Sequence, residues 1–195
     1  MSITKFSDLD LNGRYTYADY LKWQFDEMVE LIKGKIFKMS PSPSRYHQDI
    51  AINITTFFKN ELKGKICKVY TAPSDVRLIS KGNGDKDITT VVQPDVFVVC
   101  DPSKLDEKGC LGSPDLIVEI VSPFTAEKDI SRKFELYQES GVLEYWLVFP
   151  NDKIVEIFVL DGGRFGPPKV FTELDLIPIH IFEGMRISGI DVFEQ

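Results

Sequence analysis

The amino-acid sequence predicts an α/β (α+β) domain built on a mixed, mostly antiparallel central sheet. Short apolar runs bounded by turn residues are typical of strands, and longer stretches carry apolar residues at helical spacing. One helical stretch lies between two apolar strands, which indicates a crossover unit beside antiparallel neighbours. The 195 residues suit a single domain over residues 1–195 with a core of about 16–183, and 43% hydrophobic residues suffice for that core.

The N-terminal third is predicted to hold a short helix, a hairpin and a long helix. Apolar residues across Thr16–Glu27 fit a short helix, and Glu30–Met39 alternates around a Lys-Gly pair as two strands joined by a turn. The serine- and proline-rich segment Ser40–Ser44 predicts a loop. Apolar positions then recur at helical spacing over Arg45–Leu62.

The middle of the chain is predicted to supply four strands. An extended segment, Ile66–Ile79, is interrupted near its proline, and the turn at Gly82–Asp85 predicts antiparallel pairing with Ile88–Val92. Two further strands, Pro94–Cys100 and Asp115–Val121, flank a polar loop.

The clearest predicted helix is Thr125–Ser140, which precedes a hairpin. Its following glycine is a typical helix end. Leu143–Phe149 and Ile154–Leu160 flank a Pro-Asn-Asp-Lys turn, and the tail predicts one or two short strands. The apolar stripe of the helix consists of Ile130, Phe134 and Tyr137.

Charge and composition exclude some classes of protein. The net charge of −7 argues against a protein that coats nucleic acid by bulk electrostatics, but metal-binding carboxylates make it compatible with a nuclease. Two lysine clusters are either a local basic patch or a solvated face. They comprise Lys33, Lys35 and Lys38, and Lys59, Lys63, Lys65 and Lys68.

The cysteines and the N-terminus predict a soluble cytoplasmic protein. The N-terminus lacks the pattern of a signal peptide, and no apolar run reaches membrane-spanning length. The three cysteines show no paired spacing, so neither a disulfide framework nor structural zinc is expected. Cys67 and Cys100 are predicted to be small core residues.

Two acidic residues interrupt apolar strands and call for a chemical explanation. Glu119 lies on the opposite side of its strand from the continuous aliphatic face, and a kink at Pro94 would aim Asp95 toward it. Paired carboxylates are poor neighbours unless a cation intervenes. Mg²⁺ or Mn²⁺ prefers such oxygen ligands and can activate water against a phosphodiester.

Lys133 is the candidate cation on the helix that follows. It falls on the flank of the apolar stripe, so its stem can follow apolar surface while its ammonium reaches the sheet edge. There it would hold the attacking water or stabilise the phosphate. The alternative is a surface ion pair with Asp129, four residues earlier.

The chain resembles the Uma-type restriction endonucleases, a family of the PD-(D/E)XK superfamily. The resemblance covers roughly Tyr17 to Phe182, and its motifs are specific in combination. They are Glu30–Ile36, Met39-Ser40-Pro41 with His47, Pro94-Asp95, Glu119–Pro123, Lys133 with Tyr137, and Gly141–Trp146.

This resemblance implies a mixed sheet flanked by helices, with a divalent metal ion at bent central strands. Asp95 and Glu119 match the two acidic positions, and a strand carbonyl near Ile120 is implied as a further metal ligand. The superfamily lysine would stand at Val121, but here Lys133 on the helix matches it instead. The remaining matches are Glu30, an acid that can complete the metal shell, and His47, a histidine near the site.

Other roles remain open for these residues. Glu30 is equally compatible with an ion pair to Lys33 or Lys38, and His47 with a solvent-facing position at a helix start. Tyr137 is assigned to the buried stripe rather than to catalysis.

The resemblance and the acidic strands predict a Mg²⁺- or Mn²⁺-dependent DNA endonuclease, acting as a homodimer so that two sites meet two strands. A catalytically inactive nuclease fold that binds nucleic acid or assembles with a partner is the alternative, suggested by the net charge and by Val121. A serine hydrolase built on Ser122 would lack the nucleophile elbow.

Overall fold

The computed structural model describes residues 3–39, 44–78, 82, 84–122 and 127–195. The helices are α1 (Tyr17–Tyr20), α2 (Arg45–Glu61), α3 (Glu127–Ser140) and α4 (Gly189–Phe193). The strands are β1 (Val29–Ile32), β2 (Lys35–Lys38), β3 (Lys68–Thr71), β4 (Val76–Leu78), β5 (Thr90–Val92), β6 (Val96–Val99), β7 (Leu105–Asp106), β8 (Gly109–Leu111), β9 (Leu116–Ile120), β10 (Glu144–Phe149), β11 (Ile154–Asp161), β12 (Arg164–Phe165), β13 (Lys169–Thr172), β14 (Leu176–Pro178) and β15 (Arg186–Ser188).

Four predicted features extend beyond the described residues, and the first is the segment Ile66–Ile79, which is described only as far as Leu78. The loop at Ser40–Ser44 is described only at Ser44, and the turn at Gly82–Asp85 lacks its second residue. The helix predicted to begin at Thr125 is described from Glu127 onward.

The central sheet is mixed and mostly antiparallel, as predicted. Its strands follow the order β12-β11-β10-β9-β6-β3, and β13 pairs with the first half of β11. Strands β9 and β10 run parallel, whereas the other neighbours are antiparallel. Since α3 joins β9 to β10, this unit is the predicted crossover, and α3 must lie across the sheet face beside β9.

A second sheet covers part of that face. Its order is β2-β1-β5-β4-β8-β7, with β4 and β8 parallel and the other pairs antiparallel. The predicted pairing of Ile66–Ile79 with Ile88–Val92 is confirmed only after Pro73, where β4 pairs with β5. Before Pro73, β3 joins the central sheet beside β6. One extended segment therefore serves both sheets.

The predicted hairpin of β1 and β2 is confirmed. Lys33 and Gly34 form its turn with φ of 50° and 81°, the positive values that a type I′ turn requires. Register pairs Glu30 with Phe37, and the neighbouring strand β5 covers the other edge of β1. All four residues of β1 are buried, so Glu30 is an acid placed inside the fold.

Helices flank both faces of the central sheet. On one face, Ile50, Ile54 and Phe58 of α2 pack against Val96 and Val98. On the other, Leu136 and Tyr137 of α3 pack with Phe97 and Ile117 and with the second sheet. Because successive strand residues point to opposite faces, Asp95 and Glu119 share the α3 face with Phe97 and Ile117.

The first predicted helix is shorter than expected. It ends at Tyr20 rather than Glu27, although Thr16 and Asp19 form a capping box at its start. Trp23 leaves the helix because it forms a bridge with Ile3 and packs its ring against Tyr15 and Tyr20. Tertiary contacts of the aromatic residues thus override the local helical pattern.

Cys67 and Cys100 belong to the core as predicted, but they also form a bond that the sequence analysis did not predict. Cys67 and Cys100 are joined by a disulfide across the end of the β3–β6 ladder, with a Cα–Cα distance of 3.9 Å. The pairing of Lys68 with Val99 brings the two cysteines face to face although they are 33 residues apart in sequence. Cys110 is free and buried. None of the helices described here is both long and apolar enough to cross a membrane.

Candidate active site

Asp95 lies where the ladder between β6 and β9 ends. The last paired residues are Val96 and Val118. Beyond them the side chain of Asp95 replaces the backbone, because its Oδ2 accepts a hydrogen bond from the backbone N–H of Ile120 at 2.7 Å. Pro94, immediately before it, has no N–H to continue the ladder. The Asp95 carboxylate is thus directed toward the strand that carries Glu119.

Glu119 meets two donors from α3. Lys133 Nζ lies 3.0 Å from Glu119 Oε1, and the hydroxyl of Tyr137 donates to the same oxygen at 2.6 Å. The two donors are one helical turn apart, so they reach the strand from the same face of α3. The Glu119 and Lys133 side chains are 14% and 16% exposed, which leaves them buried but not sealed from solvent.

Glu30 completes a three-membered ionic cluster. Its Oε1 lies 3.0 Å from Lys133 Nζ and accepts a hydrogen bond from the backbone N–H of Gln93 at 3.1 Å. The alternative pairings of Glu30 are wrong: Lys33 pairs with Glu139 and Lys38 approaches Glu27. The alternative ion pair between Lys133 and Asp129 falls outside the described residues, because the Asp129 side chain is not described. The Lys133 ammonium contacts the two glutamates, Glu30 and Glu119.

His47 stands beside Asp95 at the start of α2. The Ser44 side chain accepts a hydrogen bond from the His47 backbone N–H, which fixes the first turn of the helix. His47 Nε2 lies 3.3 Å from Asp95 Oδ2, and the side chain is only 11% exposed, so the solvent-facing alternative is wrong. Its Nδ1 is buried without a hydrogen-bond partner among the described residues.

Burial and mutual repulsion set the protonation of the cluster. Burial raises the pKa of Glu119 to about 7; Lys133 and Tyr137 oppose the rise, while Asp95 and Glu30 add to it. Burial lowers the pKa of Lys133, but Glu119 and Glu30 outweigh it and hold that pKa above its ordinary range. Burial also lowers the pKa of His47, and the adjacent Asp95 carboxylate more than compensates, so the pKa is raised. Lys133 is therefore a cation at neutral pH.

The donor set suits a hard divalent cation. In the described chain no cluster of three or more His, Cys, Asp or Glu side chains is arranged to hold a metal ion. Mg²⁺ needs fewer protein ligands, since it takes one or two carboxylates and keeps several waters. Asp95 and Glu119 supply the carboxylates. The Ile120 carbonyl leaves the strand on the same side as the Ile120 N–H that meets Asp95.

The fold thus brings all five predicted side chains into one neighbourhood, with Ile120 between the acids. Two contributors were missed from sequence. Tyr137 was assigned to the core stripe, and it is fully buried, yet its hydroxyl binds Glu119. Tyr137 stands four residues after Lys133, and this spacing could have indicated that both side chains reach the same acid. Gln93 supports Glu30 through its backbone and Asp75 through its side chain, at 2.9 Å, and nothing in its sequence context indicates this.

Comparisons with known proteins found a matching family, a curated relative and a solved structure of similar fold. The family model described as "Uma2: Putative restriction endonuclease" matches residues 17–191. The chain is 28% identical over 138 residues to "Uncharacterized protein slr1290" of Synechocystis sp. (strain ATCC 27184 / PCC 6803 / Kazusa), covering 70% of this chain and 68% of that protein. It is also similar to the crystal structure of "a putative nuclease belonging to DUF820" from Anabaena variabilis ATCC 29413. That match has a TM-score of 0.69 and 21% identity and covers 92% and 97% of the two chains, which shows a shared fold.

Proposed function

This chain belongs to the Uma2 family of restriction endonuclease relatives, and we propose that it is a metal-dependent endonuclease that hydrolyses phosphodiester bonds in DNA. One observation carries the proposal. Asp95, Glu119 and Lys133 come from two strands and a helix, and they meet with Glu30 and His47 in a single partly exposed cluster. Buried ionisable groups of this kind are characteristic of functional sites.

Asp95 and Glu119, together with the Ile120 carbonyl, would hold Mg²⁺ or Mn²⁺. Such an ion lowers the pKa of bound water and stabilises the charge on a phosphodiester under attack. The chain's own contribution is to keep the carboxylates in place. Ile120 N–H and His47 hold the Asp95 carboxylate, while Lys133 and Tyr137 occupy Oε1 of Glu119.

Lys133 acts as an ammonium donor rather than as a proton acceptor. Its raised pKa keeps it protonated at neutral pH, so it cannot take a proton from water. Glu119 and Glu30 hold the ammonium from two sides, and its remaining donor can orient a water molecule or a phosphate oxygen. In a site this poorly exposed to water, that charge is only weakly screened.

His47 supplies a second positive group on the opposite side of Asp95. The neighbouring carboxylate raises the pKa of the imidazole against the effect of burial, which favours the imidazolium near neutral pH. An imidazolium beside the scissile bond can contact a phosphate oxygen or donate a proton to the leaving oxygen.

The first experiment is plasmid nicking by the purified full chain with Mg²⁺, with Mn²⁺ and with chelator. Cleavage should require the ion and should fall at least 100-fold in Asp95→Ala, Glu119→Ala and Lys133→Ala. Glu135→Gln is the control, since Glu135 is exposed on the same helix as Lys133. An unchanged rate in Asp95→Ala and Glu119→Ala would reject the mechanism. Parallel assays on RNA of matched sequence decide the choice of nucleic acid.

The non-catalytic alternative has one specific motivation, the absence of lysine at position 121. Val121 is half-buried and packs with the α3-side core. The ammonium of Lys133 nevertheless reaches Glu119, which favours catalysis over loss of function. Calorimetry separates the two proposals, because an inactive fold needs no divalent-ion affinity, whereas the endonuclease must bind Mg²⁺ or Mn²⁺ through Asp95 and Glu119.

Homodimerisation and a cytoplasmic location belong to the same proposal. Two symmetric copies would present two sites to the two strands of a duplex, and sedimentation that finds only monomer would remove this part. In the cytoplasm most protein thiols are kept reduced, so Cys67 and Cys100 would there be a dithiol rather than the disulfide described above.

A further inference from the structure

A groove lined by both polar and apolar residues runs along the outer edge of the central sheet, between α2 and β3. We call it the β3 groove. Its volume is about 480 Å³. Strand β3 is the last strand of the sheet on this side, so the groove is open along one length. Its lining consists of Thr55, Thr56, Lys59 and Asn60 from α2 and Val69, Tyr70 and Thr71 from β3.

One end of the β3 groove adjoins the candidate active site. Thr71 pairs with Val96, the residue after Asp95, and the next backbone N–H, of Ala72, donates to the carbonyl of Asp95 at 3.3 Å. At the other wall, the first turn of α2 places His47 beside Asp95, and the helix reaches Thr55 about 12 Å further along its axis. A ligand in the groove would therefore reach the carboxylates at the Thr71 end by crossing the open edge of β3, because α2 lies on one face of the sheet and Asp95 and Tyr70 project from the other.

The charge of the β3 groove is opposite to that of the whole chain. Lys59 is exposed and, among the residues that the structure describes, has neither an ion pair nor a hydrogen-bond partner. Hydroxyl and amide groups from Thr56 and Asn60 stand beside it. In a protein of net charge −7, an exposed ammonium in this groove favours an anionic ligand.

Tyr70 adds an aromatic surface next to the acids. It pairs with Phe97, so it projects from the same sheet face as Asp95 and is a diagonal neighbour of that residue. Its ring stacks on Phe97 with a centroid distance of 5.5 Å and an interplanar angle of 28°, and 36% of the residue is exposed. A supported, exposed ring is a platform for a base, but a base can stack on it only when unpaired.

We propose that the β3 groove and Tyr70 bind the flank of a single nucleic-acid strand next to the scissile phosphate. Lys59 contacts a backbone phosphate, and Tyr70 stacks on the base of a nucleotide beside the site. The inference deepens the proposed endonuclease function and rests on it, because it assigns the substrate an unpaired segment. A peptide added as a further strand to the edge of β3 is the competing occupant.

The test is binding of a fluorescein-labelled 12-nucleotide single strand to the full chain in chelator, measured by anisotropy across a salt series. Lys59→Ala should reduce the slope of log K against log salt by about 0.7, the value expected for one lost phosphate contact on a single strand. Lys63→Ala is the control: it removes the same charge just beyond the end of α2, outside the groove, and the slope should change by less than half as much. Tyr70→Ala should weaken binding by about 5- to 150-fold, while Tyr70→Phe keeps the ring and the affinity.

Equal slopes for Lys59→Ala and Lys63→Ala, or equal affinities for Tyr70→Ala and Tyr70→Phe, would overturn the assignment. Equal binding of a blunt duplex and the single strand would overturn it as well, and so would salt-independent binding, which fits a peptide partner. Failure of the endonuclease proposal is separate. If these binding differences are found but no ion supports cleavage, the proposed binding site is kept and the endonuclease proposal is rejected. If cleavage requires the metal ion but the binding differences are absent, the endonuclease proposal is kept and the binding site is rejected.

Discussion

Tyr137→Phe tests the geometry of the site with the smallest possible change, because it removes one hydroxyl and keeps the buried ring. Burial raises the pKa of Glu119 to about 7, and the hydrogen bond from Tyr137 is one of the interactions that hold it down. That bond is 2.6 Å long and ends on Oε1 of the carboxylate. Removing the donor destabilises the ionised form of Glu119, so we expect its pKa to rise.

The size of the rise follows from the strength of the bond. A hydrogen bond to a charged group contributes about 1.5–3 kcal/mol. Since 1.36 kcal/mol corresponds to one pKa unit, Tyr137→Phe should raise the Glu119 pKa by about 1 to 2 units. Tyr145→Phe is the matched control. Its hydroxyl is buried beside the same cluster but has no hydrogen-bond partner in the described chain, so its loss should change the Glu119 pKa by only a few tenths of a unit.

The assay is a carbon-13 NMR titration of glutamate carboxyls in the metal-free protein, with Glu119→Gln used to assign the signal. The acidic limb of the cleavage profile should move to higher pH by the same amount, because the proposed mechanism needs the ionised form of Glu119 to bind the metal ion. Titration of Glu119 at the same pH in Tyr137→Phe and wild type would refute the hydrogen bond. An equal rise in Tyr145→Phe would show that general burial, not this contact, controls the carboxyl.

Three further predictions concern the whole domain. Mn²⁺ at about 100 times its Kd should stabilise the fold by about 2.7 kcal/mol and raise the Tm by several degrees, an effect that scanning calorimetry should not find in the Asp95→Ala, Glu119→Ala double variant. Because the folded state raises the pKa of both His47 and Glu119, it binds protons more tightly than the unfolded chain. The free energy of unfolding should therefore fall as the pH rises from about 5 to 8 in urea titrations, and His47→Gln should flatten the part above pH 6.5, the ordinary pKa of histidine. Reduction of the Cys67–Cys100 bond should lower the free energy of unfolding by about 3–4 kcal/mol, given the 33-residue separation, and the reductant should have no effect on the Cys67→Ser, Cys100→Ser double variant.

Two local rules guided the prediction for the acids. Counting by two placed Glu119 off the aliphatic face of its strand, and Pro94 indicated a kink that would aim Asp95 toward it. The two apolar runs are the neighbouring strands β6 and β9, with Asp95 immediately before β6. The crossover helix was equally accessible, since a long amphipathic stretch between two strands has few alternatives. These features depend on local pattern and on a short list of allowed connections.

Features that depend on long-range pairing were not accessible in the same way. The disulfide follows from the pairing of β3 with β6, which cannot be counted from the spacing of Cys67 and Cys100. Tyr137 was assigned by its ring alone, although a tyrosine on an apolar stripe also carries a hydroxyl that needs a partner. Glu30 met Lys133 because the second sheet folds against α3, and no local rule selects that partner over the nearer lysines.

The crossover from β9 through α3 shows that the charged group beside Glu119 need not come from a fixed position in the sequence. The Lys133 ammonium stands 3.0 Å from Glu119 Oε1 and comes from a helix 14 residues downstream, while Val121 packs in the core. Searches that demand a lysine two places after the acid would pass over such a protein. A search for the spatial arrangement of Glu30, Glu119 and the Lys133 ammonium would find it instead.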